Sequence, residues 1–224
     1  MPHHAQDERH ALAQTLRQAG PTAPTLCGAW TTAQLAAHLV LRERSVVELG
    51  GRLPVAALQR RAEAAVDHEA TTQPYERLVE QVDAGPSWRD VHGPVPTAWA
   101  WSLPPVREAA NLLEYAIHHE DVRRAGESWA PRELDDEVQA AVFQRLGTMA
   151  KLTLRHVPVG VELVAPGLGA IRTKVARHGG PTVTVTGAPL ELALMAFGRI
   201  PQADVRWDGD PDDVDAVRGA DISI

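Results

Sequence analysis

The stretch Asn111-Leu-Leu-Glu-Tyr-Ala-Ile-His-His-Glu-Asp-Val-Arg-Arg-Ala125 decides how the chain is read. It has no glycine or proline, Pro104–Pro105 precede it where a first helical turn tolerates proline, and Gly126 stands just past its end. The expectation is one long helix. On it Glu114, His118 and Asp121 fall at i, i+4 and i+7, so one face carries a carboxylate, an imidazole and a second carboxylate. Leu112, Leu113, Ala116 and Ile117 surround that face with apolar surface. Charged groups turned inward are costly unless they are paired or bind a metal.

Toward the N-terminus, residues about 5–19 carry Leu12 and Leu16 among charged positions, the pattern of an amphipathic helix. Thr31-x-x-Gln34 is a capping box that starts a second helix at about Thr32. On that helix Leu35, His38, Leu39 and Arg42 share a face, which puts His38 beside the apolar stripe. An alanine-rich helix is expected from Val55 to about Ala70, and a short one after Pro74 through Val82. From Ser87 to Leu103 the chain reads as a long loop holding Trp88, Trp99 and Trp101, tryptophans that more often pack on a core than line a pocket.

Toward the C-terminus, a helix is expected from about Glu133 to Leu154, with Leu134, Val138, Val142 and Leu146 on its stripe. The pattern then changes. Val159–Val164, Ile171–Val175, Thr182–Thr186 and Asp204–Asp208 read as strands, Pro189 and Pro211 as helix openers. The expected organisation is an all-α domain over 1–154, a four-helix bundle, followed by a small α+β domain over 155–224.

Composition limits the function. Over 224 residues the formal net charge is −7, which removes the general electrostatic drive toward nucleic acid or an anionic membrane. The single cysteine, Cys27, excludes an intramolecular disulfide and fits a reducing compartment. The polar first ten residues lack the apolar core of a signal peptide, and no run approaches a membrane span; the expected location is the cytoplasm. No nucleophile elbow, dinucleotide fingerprint or P-loop is found, so a nucleotide cofactor is not expected.

What remains is a metal-type donor set. Glu114 and His118 lie one turn apart, and His38 offers a third donor from another helix. Two imidazoles and a carboxylate leave coordination positions open, which suits catalysis better than a closed structural site. Zinc fits these donors best, with Ni2+, Fe2+ or Mn2+ as alternatives. Asp121 and His119 are candidates to orient His118 or a water. Spacing alone also allows an exposed Glu–His pair and a hydrogen-bonded core histidine. Cys27, ahead of a helix start, reads more readily as a small buried residue than as a reactive thiol.

Three segments in the same order carry a resemblance: Leu26-Cys-Gly-Ala-Trp-Thr-Thr-Ala-Gln-Leu-Ala-Ala-His-Leu-Val40, the stretch around Glu114, and Val185-Thr-Gly-Ala-Pro-Leu-Glu-Leu-Ala-Leu-Met-Ala-Phe-Gly-Arg199. They resemble an actinobacterial metal-binding group of the DinB-like superfamily, similar to mycothiol-dependent maleylpyruvate isomerase. The resemblance implies a DinB-like helical bundle with His38, Glu114 and His118 as metal ligands, and a sterol-carrier-like C-terminal domain. It also implies mycothiol as thiol cosubstrate, acidified at the metal, in transfer to or isomerisation of a small electrophilic substrate. Candidates for a direct part in that chemistry are Asp121 and Arg199; the competing reading of Arg199 is a cation at the negative end of a helix dipole. A metal-dependent hydrolase, or a small-ligand-binding protein with a structural metal, stands as the alternative. Monomer and homodimer are both open.

Overall fold

The computed structural model describes residues 3–44, 56–86, 104–174 and 180–222. Its contacts divide the chain into two compact units, Met1–Trp129 and Ala130–Ile224. The tryptophan-bearing segment Ser87–Leu103 expected as a loop lies outside the described residues. No described helix is long and apolar enough to cross a membrane.

The described part of the first unit holds α1 (His4–Ala19), α2 (Thr32–Arg44), α3 (Ala56–Thr72), α4 (Tyr75–Ala84) and α5 (Pro104–Arg123). The capping box forms at the start of α2, where the Thr31 backbone N–H donates to Gln34 Oε1 at 2.9 Å. Helix α1 lies chiefly along α5 and also touches α4, while α2 packs on α3 and α4. The core between them is made by Leu12, Leu16, Leu35, Leu39, Leu78, Val82, Leu112 and Ile117, all at most 2% exposed. Each such side chain contributes about 1.5–3 kcal/mol by leaving water. Among the polar ties between these helices, Tyr75 Oη donates to the Leu16 carbonyl, 2.7 Å away, which also accepts from the Gly20 N–H.

The second unit holds α6 (Asp136–Thr153), a 3-10 turn, β1 (Gly160–Ala165), β2 (Gly169–Lys174), β3 (Thr182–Thr186), α7 (Pro189–Ala196), β4 (Arg206–Asp208) and α8 (Pro211–Arg218). The strands form one sheet in the order β2-β1-β3-β4. β1 runs antiparallel to β2 and parallel to β3, and β3 is antiparallel to β4. Every residue of α7 is buried, and all but one are apolar; the exception, Glu191, accepts from the Asp204 backbone N–H at 2.8 Å. It ends at Gly198, which adopts φ 85° with the Ile222 carbonyl oxygen 3.2 Å from where a Cβ would sit. A side chain there would be both strained and crowded.

One expectation about organisation changes. Helix α6 was assigned with the first domain, but it packs on α7 and β2 and belongs to the second unit. Its stripe of Val142, Leu146 and Ala150, all fully buried, covers the small sheet's partner layer. The division therefore falls after Trp129, not after residue 154.

Candidate metal centre

Six polar residues of the α5 region, Asn111, His118, His119, Glu120, Asp121 and Arg124, are each less than a tenth exposed. Burial on that scale demands partners. Glu120 meets Arg123 and Arg124, and the Arg124 guanidinium stacks over Trp129 with its carbon 4.5 Å from the ring centroid. Asn111 accepts from Arg42 Nη1 at 2.7 Å and donates to Glu43 Oε1 at 3.1 Å. Tyr115 also donates to Glu43, and burial together with that carboxylate pushes its hydroxyl pKa up.

His118 stands at the centre. Its Nε2 lies 3.6 Å from Glu114 Oε2, and its Nδ1 lies 2.9 Å from Asp121 Oδ2. The His38 ring stands edge-on to the His118 ring, centroids 5.4 Å apart, and is tilted against Trp30 at 5.2 Å. One donor atom from each of His38, Glu114 and His118 lies within 4.8 Å of the other two. The three residues chosen from helical spacing thus converge.

The donor set suits a divalent cation. With bonds of about 2.0–2.2 Å a tetrahedral site has ligand–ligand edges of roughly 3.3–3.6 Å. The Glu114–His118 pair already meets that edge at 3.6 Å. A donor atom of His38 lies within 4.8 Å of both.

The surroundings fix these donors. Arg42 Nε lies 3.3 Å from Glu114 Oε2, and its Nη1 is held by Asn111, so the carboxylate is oriented by a guanidinium that is itself anchored. Asp121, fully buried, fixes the His118 ring through Nδ1, leaving Nε2 directed at Glu114. That is the carboxylate–histidine relay found behind metal-bound imidazoles. Burial alone would lower the His118 pKa, but Asp121, Cys27 and Glu114 together raise it well above the ordinary 6.5.

His119 takes a place other than the one expected, while Arg199 sits at a helix end, as its competing reading has it. His119 does not support His118. It faces α1, with Nδ1 2.8 Å from Glu8 Oε1 and Nε2 2.8 Å from Thr15 Oγ1. Arg199 belongs to the second unit, where its Nη1 donates to the Phe197 carbonyl at 2.6 Å just past the end of α7. It borders a cavity of about 860 Å³ lined also by Phe197, Val205, Trp207, Arg218 and Ile222.

No family model, curated protein or solved structure matches the chain. The site therefore rests on its own geometry.

Sequence reasoning missed Cys27 as a member of the cluster. Its Sγ lies 3.1 Å from Asp121 Oδ2 and 3.6 Å from His118 Nδ1. The loop before α2 carries it there: Leu26 N–H donates to the Asp121 carbonyl at 3.0 Å, and Trp30 N–H closes a turn on the Cys27 carbonyl at 3.2 Å. Gly28 occupies that turn at φ 64°, a left-handed conformation that favours glycine. A loop-to-helix contact across 91 residues has no periodicity to betray it. Arg42 was visible on the His38 face, but its grip on Glu114 was not.

Proposed function

We propose that this protein binds one divalent cation, zinc by donor type, through His38, Glu114 and His118, and uses its open coordination in metal-dependent thiol chemistry. The observation that carries the reading is the convergence of these three donors within 4.8 Å, with His118 buried and His38 and Glu114 half-buried. Two neutral imidazoles and one carboxylate are the donor set of open, catalytic zinc sites. The bound cation would supply acidification of a coordinated thiol or water.

The chain's own residues define what surrounds that chemistry. Asp121 holds the proton on His118 Nδ1 and so presents the Nε2 lone pair. Arg42 and Asn111 hold Glu114 in place. The thiol half of the proposal rests on the resemblance of the three sequence segments to the mycothiol-dependent group. A transferase or isomerase acting on a small electrophile is the activity proposed, and the first unit is proposed to be a DinB-like bundle. A hydrolase would use water in the same position and show no dependence on thiol.

Protein purified without an affinity tag is expected to carry close to one divalent ion per chain by elemental analysis. Turnover of electrophilic substrates is expected only with a low-molecular-weight thiol present. Metal-free protein at neutral pH would overturn the first half, and thiol-independent turnover the second.

A second reading, small-ligand binding, is favoured by the cavity beside Trp207 and Arg199, whose volume falls in the range of small-molecule sites, about 300–1,000 Å³. An apolar ligand bound with unchanged affinity after chelation of the metal would support it.

A further inference from the structure

His118 has two faces, and only one of them is used by the His38–Glu114 set. On the Nδ1 side, Cys27 Sγ, Asp121 Oδ2 and His118 Nδ1 form a triangle with sides of 3.1, 3.6 and 2.9 Å. Each atom is a metal donor, and the side lengths fall within a few tenths of an ångström of the roughly 3.3–3.7 Å edges of a tetrahedral site with nitrogen, oxygen and sulfur ligands. The triangle is held from outside by the Leu26–Asp121 backbone hydrogen bond and by Thr25, whose Oγ accepts from the Cys27 N–H at 3.2 Å and donates to the Trp30 carbonyl at 2.8 Å. Asp121 is fully buried, while Cys27 is partly exposed.

We propose that Cys27, His118 Nδ1 and Asp121 form a second, thiolate-containing cation seat that shares His118 with the first seat and is filled in alternation with it. This seat stands on its own donors; only the alternation rests on the His38–Glu114–His118 reading.

The Cys27 S–H now donates to Asp121 Oδ2. When a divalent cation enters, the thiol proton leaves to solvent and the sulfur lone pair becomes a ligand. The Nδ1 hydrogen of His118 also leaves to solvent and the ring carries its one remaining proton on Nε2, facing Glu114 at 3.6 Å, so it ligates as a neutral imidazole. In the first seat the same ring ligates through Nε2 and keeps its proton on Nδ1, facing Asp121. A neutral imidazole offers one lone pair, so one cation excludes the other. Ligand softness decides the partition: a thiolate favours soft ions such as Cd2+, and the nitrogen–oxygen set favours harder ones such as Mn2+.

The chain has a single cysteine, so a thiolate signal needs no variant to assign it. Metal-free protein titrated with Cd2+ is expected to develop a thiolate-to-cadmium charge-transfer band that saturates at one ion per chain, while Cys27 loses its reactivity toward a disulfide reagent. The band is expected to persist in His38→Ala and Glu114→Gln, which lose Mn2+ binding, and to vanish in Cys27→Ser, which keeps it. Cd2+-loaded wild type without the band, or with Cys27 still fully reactive, would overturn the seat. Saturation at one ion per two chains would overturn it too, since that shows thiolates bridging between molecules. Two ions held together on one chain would overturn the alternation. Failure of Zn2+ binding in Cys27→Ser, with the cadmium band intact in the wild type, would refute the first seat and leave this one standing.

Discussion

Asp121 Oδ2 lies 2.9 Å from His118 Nδ1, one helical turn along α5 and on the far side of the ring from Glu114. This contact fixes which ring nitrogen is available to a metal, and several consequences can be measured.

Removing it weakens binding without removing a ligand of the first seat. Asp121→Asn is expected to lower divalent-ion affinity about 10–100-fold, the usual effect of losing the partner behind a metal-bound histidine. Competition against a chromophoric chelator measures this, with circular dichroism to confirm an intact fold. An unchanged affinity would show that Asp121 does not orient the ring.

His118 also sets a pH dependence. Its folded-state pKa is raised above 6.5, so in the metal-free protein its stabilising contribution is complete below about that pH and is lost as pH rises through the folded value. A metal must displace the same proton, so ion affinity rises over the range in which the metal-free fold loses this stabilisation. Urea denaturation and metal titration over that pH range should show opposite slopes, and His118→Asn should flatten this contribution in both.

His119 separates structure from site. Because it ties α5 to Glu8 and Thr15 of α1, His119→Ala is expected to destabilise the fold by about 1–3 kcal/mol through loss of both hydrogen bonds. Metal stoichiometry should not change. A stable variant that has lost its metal would contradict this assignment.

On another face of α1, Asp83 of α4 accepts from Arg17 at 2.7 Å and pairs with His10. Burial alone would raise the Asp83 pKa, but His10 and Arg17 hold it below the usual 3.8, so its contribution is present above that pH and lost as pH falls through the folded value. The pair is partly exposed, and Asp83→Asn is expected to cost only about 1 kcal/mol at neutral pH and to make acid unfolding shallower.

Much of the fold was legible because its signals are local. The Thr31–Gln34 box, Pro189, Pro211 and the alternating Thr182–Thr186 act within a few residues, and each marks an element at its described position. The allegiance of α6 was not legible. Its apolar stripe states that a partner exists, but nothing in Val142 or Leu146 says whether a helix of the first unit or α7 covers it.

The site divides in the same way. Glu114 and His118 share a face through helical geometry, and the same geometry turns His119 about 100° away from His118 while Asp121 returns to within about 60° of it. The difference between those two neighbours was therefore available in the spacing. Cys27 was not, because its place depends on the turn at Gly28 and on the Leu26–Asp121 hydrogen bond.

The central claim is a cation held by His38, Glu114 and His118, and calorimetric Zn2+ titration in a Cys27→Ser background isolates that seat. One ion per metal-free chain is expected, and adding Glu114→Ala, which removes a ligand, is expected to reduce affinity by more than the roughly 10–100-fold that loss of a partner behind a ligand costs. No binding in the Cys27→Ser protein, or equal affinity with and without Glu114, would contradict the account.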